Sequence, residues 1–294
     1  MQPDPAEKFV DAEIAERLFN SMPEIRVRQR MEKTVLNGNF DALLSARQGA
    51  LLATVSGLYE VFRPYQLRNE VPGCACCVFA DDQARIHSKP LKELTAEDLD
   101  KYARKALTTW GDEDDFRHFL PRLFELLPEL ETNAEIVVGK LRAADWRNWP
   151  LPEQSAIEKF LLCHWLCVLA QYPPQYPAPN ADDALCTAAQ ALDDLTPLLA
   201  LWDANDTPPA AMHLADFVSC SATKYSCKSE YIDGFWEDRP DQVRQVIQWL
   251  QSQPLRDRIK NLLRTFPSSQ PGLAAAFSEA LQMLEINRHK LETP

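Results

Sequence analysis

Apolar side chains recur every three or four residues along most of this chain, and most of its prolines fall between those runs. This is the rhythm of helices that bury one face. A half-buried strand alternates at every second residue instead, and no such alternation is sustained beyond a few residues. Glycine is scarce, 8 of 294 residues, while proline reaches 22. Sheet turns and phosphate loops lean on glycine, and proline ends helices. The expected fold class is therefore all-α: antiparallel helix pairs in a multi-helical bundle or an irregular α-solenoid, although no exact internal repeat is readable.

The spacing predicts a helix over 96–110. Thr95 and Asp98 form a capping box before it, Leu99, Tyr102, Ala103, Ala106, Leu107 and Trp110 share one face, and Gly111 follows as a stop. Asp112, Glu113, Asp114 and Asp115 then open the next helix at its positive end. They lack the spacing and glycine of a calcium loop. Phe116, Phe119, Leu120, Leu123 and Leu127 mark its inner side, and Pro121 predicts a kink or a break. A longer helix is expected over 40–62 and an apolar central one over 153–171. In the C-terminal third there are three stripes: Val243, Val246, Ile247 and Leu250; Leu255, Ile259, Leu262, Leu263 and Phe266; and Leu273, Ala276, Phe277, Ala280, Leu281 and Leu284.

Two stretches break the pattern. Residues 173–179, Pro-Pro-Gln-Tyr-Pro-Ala-Pro, read as an extended connector. It divides the chain into an N-terminal helical domain, 1–172, carrying a cysteine cluster, and a C-terminal one, 180–294, which can also pack as one unit. Residues 219–239 mix cysteine, serine, tyrosine and lysine without a period and predict a long loop or irregular turn.

The net charge of −12 repels phosphate backbones, and no basic stripe is present. That disfavours nucleic acid and suits solubility or the capture of a basic protein by electrostatic steering. No apolar run reaches the length of a membrane span, and the first residues lack the basic and apolar regions of a signal peptide. With eight cysteines and no such signal, the expectation is a cytoplasmic protein with reduced thiols.

The densest chemical signal is Cys74, Cys76 and Cys77, three thiols in four residues after Val71-Pro72-Gly73. A tetrahedral zinc site needs four thiolate or imidazole ligands. His87, ten residues on, completes a candidate set, with His118, Cys220 and Cys227 as further donors. A redox pair and plain packing thiols are the other readings. Cys163 and Cys167 share a helical face around His164, and Cys186 sits on an Ala/Leu helix; both patterns fit core packing. Arg117, His118 and Arg122, with Asp112, Asp114 and Asp115 beside them, form a candidate binding patch. The arginines suit a carboxylate or phosphate, or simply pair with those acids along the helix. Phosphate loops, dinucleotide fingerprints, nucleophile elbows and zinc-protease helices are missing.

The stretches Gly73-Cys-Ala-Cys-Cys-Val, Ser88-Lys-Pro-Leu-Lys-Glu-Leu-Thr-Ala-Glu-Asp-Leu, Lys105-Ala-Leu-Thr-Thr-Trp-Gly-Asp and Asp115-Phe-Arg-His-Phe-Leu-Pro-Arg resemble an uncharacterised family of bacterial cytoplasmic proteins, over about residues 40–170. The resemblance implies a bacterial source and a stable helical domain, and no activity. The leading functional expectation is a non-enzymatic, acidic helical protein that binds another protein, such as an immunity- or inhibitor-type partner of a basic toxin or enzyme. The alternative is a metal-dependent enzyme or sensor, using zinc or iron, built on Cys74, Cys76, Cys77 and a histidine.

Overall fold

In the computed structural model the described residues are 40–175, 177–226, 234–265, 277, 278, 280–282, 284 and 285. They form α-helices, single-turn 3-10 pieces and turns, and no strand occurs among them. The expected all-α fold is what the chain adopts. In order the helices are α1 (Phe40–Val61), α2 (Ala80–Ile86), α3 (Ala96–Lys105), α4 (Glu113–Glu125), α5 (Ala134–Ala143), α6 (Leu151–Leu169), α7 (Ala181–Ala189), α8 (Thr196–Asp203), α9 (Pro208–Ser226), α10 (Pro240–Leu250) and α11 (Gln253–Thr265). None of them is long and apolar enough to cross a membrane.

Helix α6 is the central one expected. Ile157, Phe160, Leu161, Cys163, Trp165, Leu166, Val168 and Leu169 are all buried, so it is enclosed on most sides. Its most extensive partner is α1, whose Leu43, Val55 and Leu58 are buried. On the other side of α6, Trp165 meets Trp202 edge-on at 5.1 Å, and Trp202 stacks on Trp249 at 5.3 Å. Buried indoles need an acceptor for their N–H. Trp165 donates to the Leu198 carbonyl at 3.0 Å and Trp146 to that of Ala191 at 3.2 Å. Both bonds link helical regions on either side of the 173–179 connector, whose described residues are non-helical. One cluster of buried apolar residues runs through both regions.

The Thr95–Asp98 capping box closes in both directions, with Asp98 N–H on Thr95 Oγ1 at 3.3 Å and Thr95 N–H on Asp98 Oδ2 at 2.8 Å. Three expectations need correction. Helix α3 ends at Lys105, not Trp110: the N–H groups of Thr108, Thr109 and Trp110 all converge on the Lys105 carbonyl at 3.0–3.2 Å. Leu107 then takes a positive φ of 63°. Ala106 and Trp110 remain buried, so the apolar stripe is satisfied by a turn instead of a fifth helical position. Of the kink or break expected at Pro121, the break does not occur, and helix α4 runs through it undivided. An interior proline costs roughly 3 kcal/mol, while burying Phe119, Leu120, Leu123 and Phe124 contributes roughly 1.5–3 kcal/mol each and outweighs it. Residues 219–226, expected as loop, continue α9. The buried Ala211, Leu214, Ala215 and Val218 hold the preceding turns, and a helix once nucleated extends through residues of weak propensity. Cys227 and the 266, 273 and 276 positions of the C-terminal stripes lie outside the described residues.

Two expected outcomes follow from this packing. Trp165→Ala removes the indole between the two helical regions and should cost about 3–5 kcal/mol. Urea unfolding followed by circular dichroism should show one transition moved to lower denaturant, since the regions share a core; two separated transitions would contradict that. Burial pulls the His213 pKa below its ordinary value and that of His164 to about 4. Folding therefore favours the neutral rings, and the unfolded chain takes up protons first as pH falls below about 6.5. Urea midpoints should decline from pH 7 toward pH 4, and His164→Leu should flatten the decline.

Candidate functional site

After α1 the chain crosses the molecule as an extended segment before α2 begins. Its buried backbone groups have no strand to pair with, so they need other partners. The Gln83 side chain on α2 brackets Val71, donating to its carbonyl and accepting its N–H at 3.2 Å. Gly111 N–H reaches the Pro72 carbonyl at 2.6 Å and Cys74 N–H the Thr109 carbonyl at 2.8 Å. This lays residues 71–74 antiparallel to 109–111, with an isolated bridge between Gly73 and Trp110. Both glycines are required. A Cβ on Gly73 would sit 2.9 Å from Val78 Cβ, and Gly111 has a φ of +73° with Asp115 Cβ 3.0 Å from where its own Cβ would lie.

The thiols sit on the turn that this anchor presents. The Cys74 carbonyl accepts from Cys77 N–H at 2.8 Å and from Val78 N–H at 2.9 Å. The turn gathers the three sulfurs within 4.8 Å of one another, Cys74 Sγ lying 2.8 Å from Cys76 Sγ and Cys76 Sγ 3.5 Å from Cys77 Sγ. Cys74 and Cys76 are exposed and Cys77 half-buried. The contact with the Cys76 thiol, followed by the backbone N–H of Cys76, holds the Cys74 pKa below its ordinary value. The hydrogen bonds to Cys74 and then Cys77 push the Cys76 thiol up to about 11. An exposed set of three convergent thiols, one with its pKa lowered, is suited to a soft metal ion or to thiol chemistry.

His87 is not brought to the cysteines. Its Nδ1 faces the Gln83 carbonyl at 2.6 Å and its Nε2 the Arg68 carbonyl at 2.8 Å, so both ring nitrogens are engaged with backbone. The other candidate residues belong to the same fastening. Arg117 lies over the Trp149 ring at 4.3 Å and the Tyr65 ring at 5.0 Å, donates to Tyr65 Oη at 2.8 Å and pairs with Glu113 and Glu153. His118 Nδ1 meets the Tyr65 carbonyl at 2.9 Å, and burial pulls that histidine's pKa down. Arg122 donates to the Leu94 carbonyl at 2.7 Å and pairs with Glu125 at 2.6 Å.

Asp112 caps α4, accepting the N–H groups of Asp114 and Asp115 at 3.1 and 3.2 Å, and pairs with Arg68. Asp115, 1% exposed, lies 3.1 Å from Arg68 Nε and accepts the Asp112 N–H at 3.0 Å; burial raises its pKa. Asp114 stays exposed in the first turn of α4. Pairing within the helix, the plainer of the two readings open at the outset, accounts for much of this set; the long-range contacts to Tyr65, Arg68 and Leu94 go further. Sequence reasoning missed Gln83, Tyr65 and Arg68, whose partners lie 12 to 88 positions away in the chain.

Cys163, Cys167 and Cys186 are packing groups. Cys163 and Cys186 are buried, Cys167 is half-buried, and burial pushes the Cys167 and Cys186 thiols up. Comparison of the chain with protein-family models, curated proteins and solved structures returns no match.

The anchor yields a direct expectation. Gly111→Ala places a side chain in a left-handed backbone position against Asp115 and Val71, at a cost on the order of 1–2 kcal/mol. Thermal unfolding should shift down by several degrees. Labelling of the 74–77 thiols should change rate in the native protein while Cys163 and Cys186 stay protected.

Proposed function

We propose that this protein binds a thiophilic metal ion, of the zinc or copper(I) class, through Cys74, Cys76 and Cys77 on a rigid helical scaffold. The observation that carries the reading is the convergence of three sulfurs within 4.8 Å on one accessible turn. Thiolates select soft ions over magnesium or calcium. Three protein ligands leave a coordination position open to water or to a donor from a partner, as in metal sites that exchange or sense their ion. The gathered groups are thiols, so the reading is of capture and sensing. The net charge of −12 attracts cations over a long range.

The test is cobalt(II) titration of the reduced, untagged protein. One equivalent should produce sulfur-to-cobalt charge-transfer absorption in the near ultraviolet, and each single Cys→Ser change at 74, 76 or 77 should weaken binding at least about tenfold. Because coordination displaces thiol protons, apparent affinity should rise with pH. A Cys74→Ser/Cys76→Ser/Cys77→Ser protein that keeps the absorption unchanged would refute the assignment.

A second reading, an acidic surface that engages a basic protein, is favoured by the same charge and a pI near 5.0. Its mark is one basic partner retained at low ionic strength and lost with added salt.

A further inference from the structure

We propose that Cys74 and Cys76 form a reversible disulfide, making the thiol turn a two-electron redox switch. The bond itself follows from the geometry of the turn; its consequence for a bound ion rests on the metal-site reading above. The two sulfurs stand 2.8 Å apart, and a disulfide bond is about 2.05 Å long. A small side-chain rotation closes that gap. Both cysteines are exposed, so an oxidant reaches them without unfolding. Cys77 is farther from Cys76, at 3.5 Å, and is half-buried. A bond between adjacent cysteines also strains the peptide that joins them, which favours the Cys74–Cys76 pair.

The backbone under the turn is fixed at its first residue, through Cys74 N–H on the Thr109 carbonyl at 2.8 Å and the Gly73–Trp110 bridge. Oxidation therefore stays local. Val78 and Cys77 both donate to the Cys74 carbonyl, so the turn keeps its shape while the side chains pair.

The oxidant class is a hydroperoxide. A thiolate of the pair, written here for Cys74, attacks the terminal peroxide oxygen. An S–O bond forms, the O–O bond breaks, and the departing alkoxide or hydroxide takes a proton. The resulting sulfenic acid is attacked at sulfur by Cys76; an S–S bond forms, the S–O bond breaks, and hydroxide leaves as water with the Cys76 proton. Two thiols and one hydroperoxide give one disulfide, one alcohol (water, when the oxidant is hydrogen peroxide) and one water. A dithiol restores the pair by exchange through a mixed disulfide. Oxidation removes two of three ligands, and an ion held by the trio is released.

The experiment uses the full-length, reduced protein freed of metal with a chelator. It is treated with stoichiometric hydrogen peroxide, quenched with acid, alkylated and weighed intact. The Cys77→Ser protein, like the unaltered one, should carry two fewer alkyl groups than its reduced control and regain both when dithiothreitol is added before alkylation. Cys74→Ser and Cys76→Ser should not, with circular dichroism confirming that all variants are folded. In parallel, the cobalt(II) band of the loaded protein should disappear on oxidation and return on reduction.

A disulfide joining Cys77 to either neighbour, stepwise growth to sulfinic acid, or no reaction would overturn the inference while leaving cobalt binding intact. A Cys74–Cys76 disulfide in a protein that never bound cobalt would uphold the switch and remove the metal reading.

Discussion

An extended segment with no strand beside it can stay in a helical protein only if its carbonyls are met by donors from elsewhere, and residues 65–74 depend on that. His118 faces the carbonyl of Tyr65, His87 that of Arg68, Gln83 that of Val71, and the backbone of Gly111 that of Pro72. Each donor is held by a helix or by the turn that precedes one. Val71 is buried, and leaving its carbonyl unmet would cost roughly 1–3 kcal/mol; Tyr65 and Arg68 are half-buried and Pro72 is exposed, so their contacts place the segment more than they stabilise it. The thiol turn begins where this series ends. Its backbone position is set by groups that never touch a sulfur.

Ion pairs on the same segment have a different weight. Arg68 is 39% exposed on its side chain, and its contact with Asp112 reaches water; such pairs contribute little. Its contact with Asp115 is another matter, because that carboxylate is 1% exposed and burial raises its pKa. A buried carboxylate without Arg68 would either take a proton or destabilise the fold. Arg117 is similarly enclosed, flat on Trp149 and Tyr65, where its stem and planar head replace apolar packing as much as they supply charge.

The helices were legible because their signals are local. The expected 40–62 and 153–171 segments match α1 and α6 within two residues, and the caps at Thr95 and Asp112 form as read. Several of the misreadings share a cause: tertiary contacts override a local pattern. The stripe through Trp110 stays buried although its backbone leaves the helix, because Trp110 pairs with Gly73, 37 residues earlier. Arg117, His118 and Arg122 looked like a surface patch because helical periodicity tells which residues share a face and not what lies against it. His87 shows the same limit for ligand sets. Its spacing from Cys77 suits a metal site, yet α2 turns the ring toward the Arg68 carbonyl.

The thiol trio was visible as composition, and its convergence depends on a turn that no spacing rule describes. What distinguishes it from the other cysteines is solvent and hydrogen bonding together. Cys167 and Cys186 have their thiols pushed up by burial and stay protonated. Cys74 is exposed and hydrogen bonding to Cys76 lowers its pKa, while the Cys76 thiol is pushed up. Coordination and disulfide formation use the same sulfur electron pairs, so one excludes the other at this turn. A rigid base with an accessible tip suits that competition: the scaffold keeps the sulfurs close enough for either outcome, and the redox poise and metal supply around the protein decide between them.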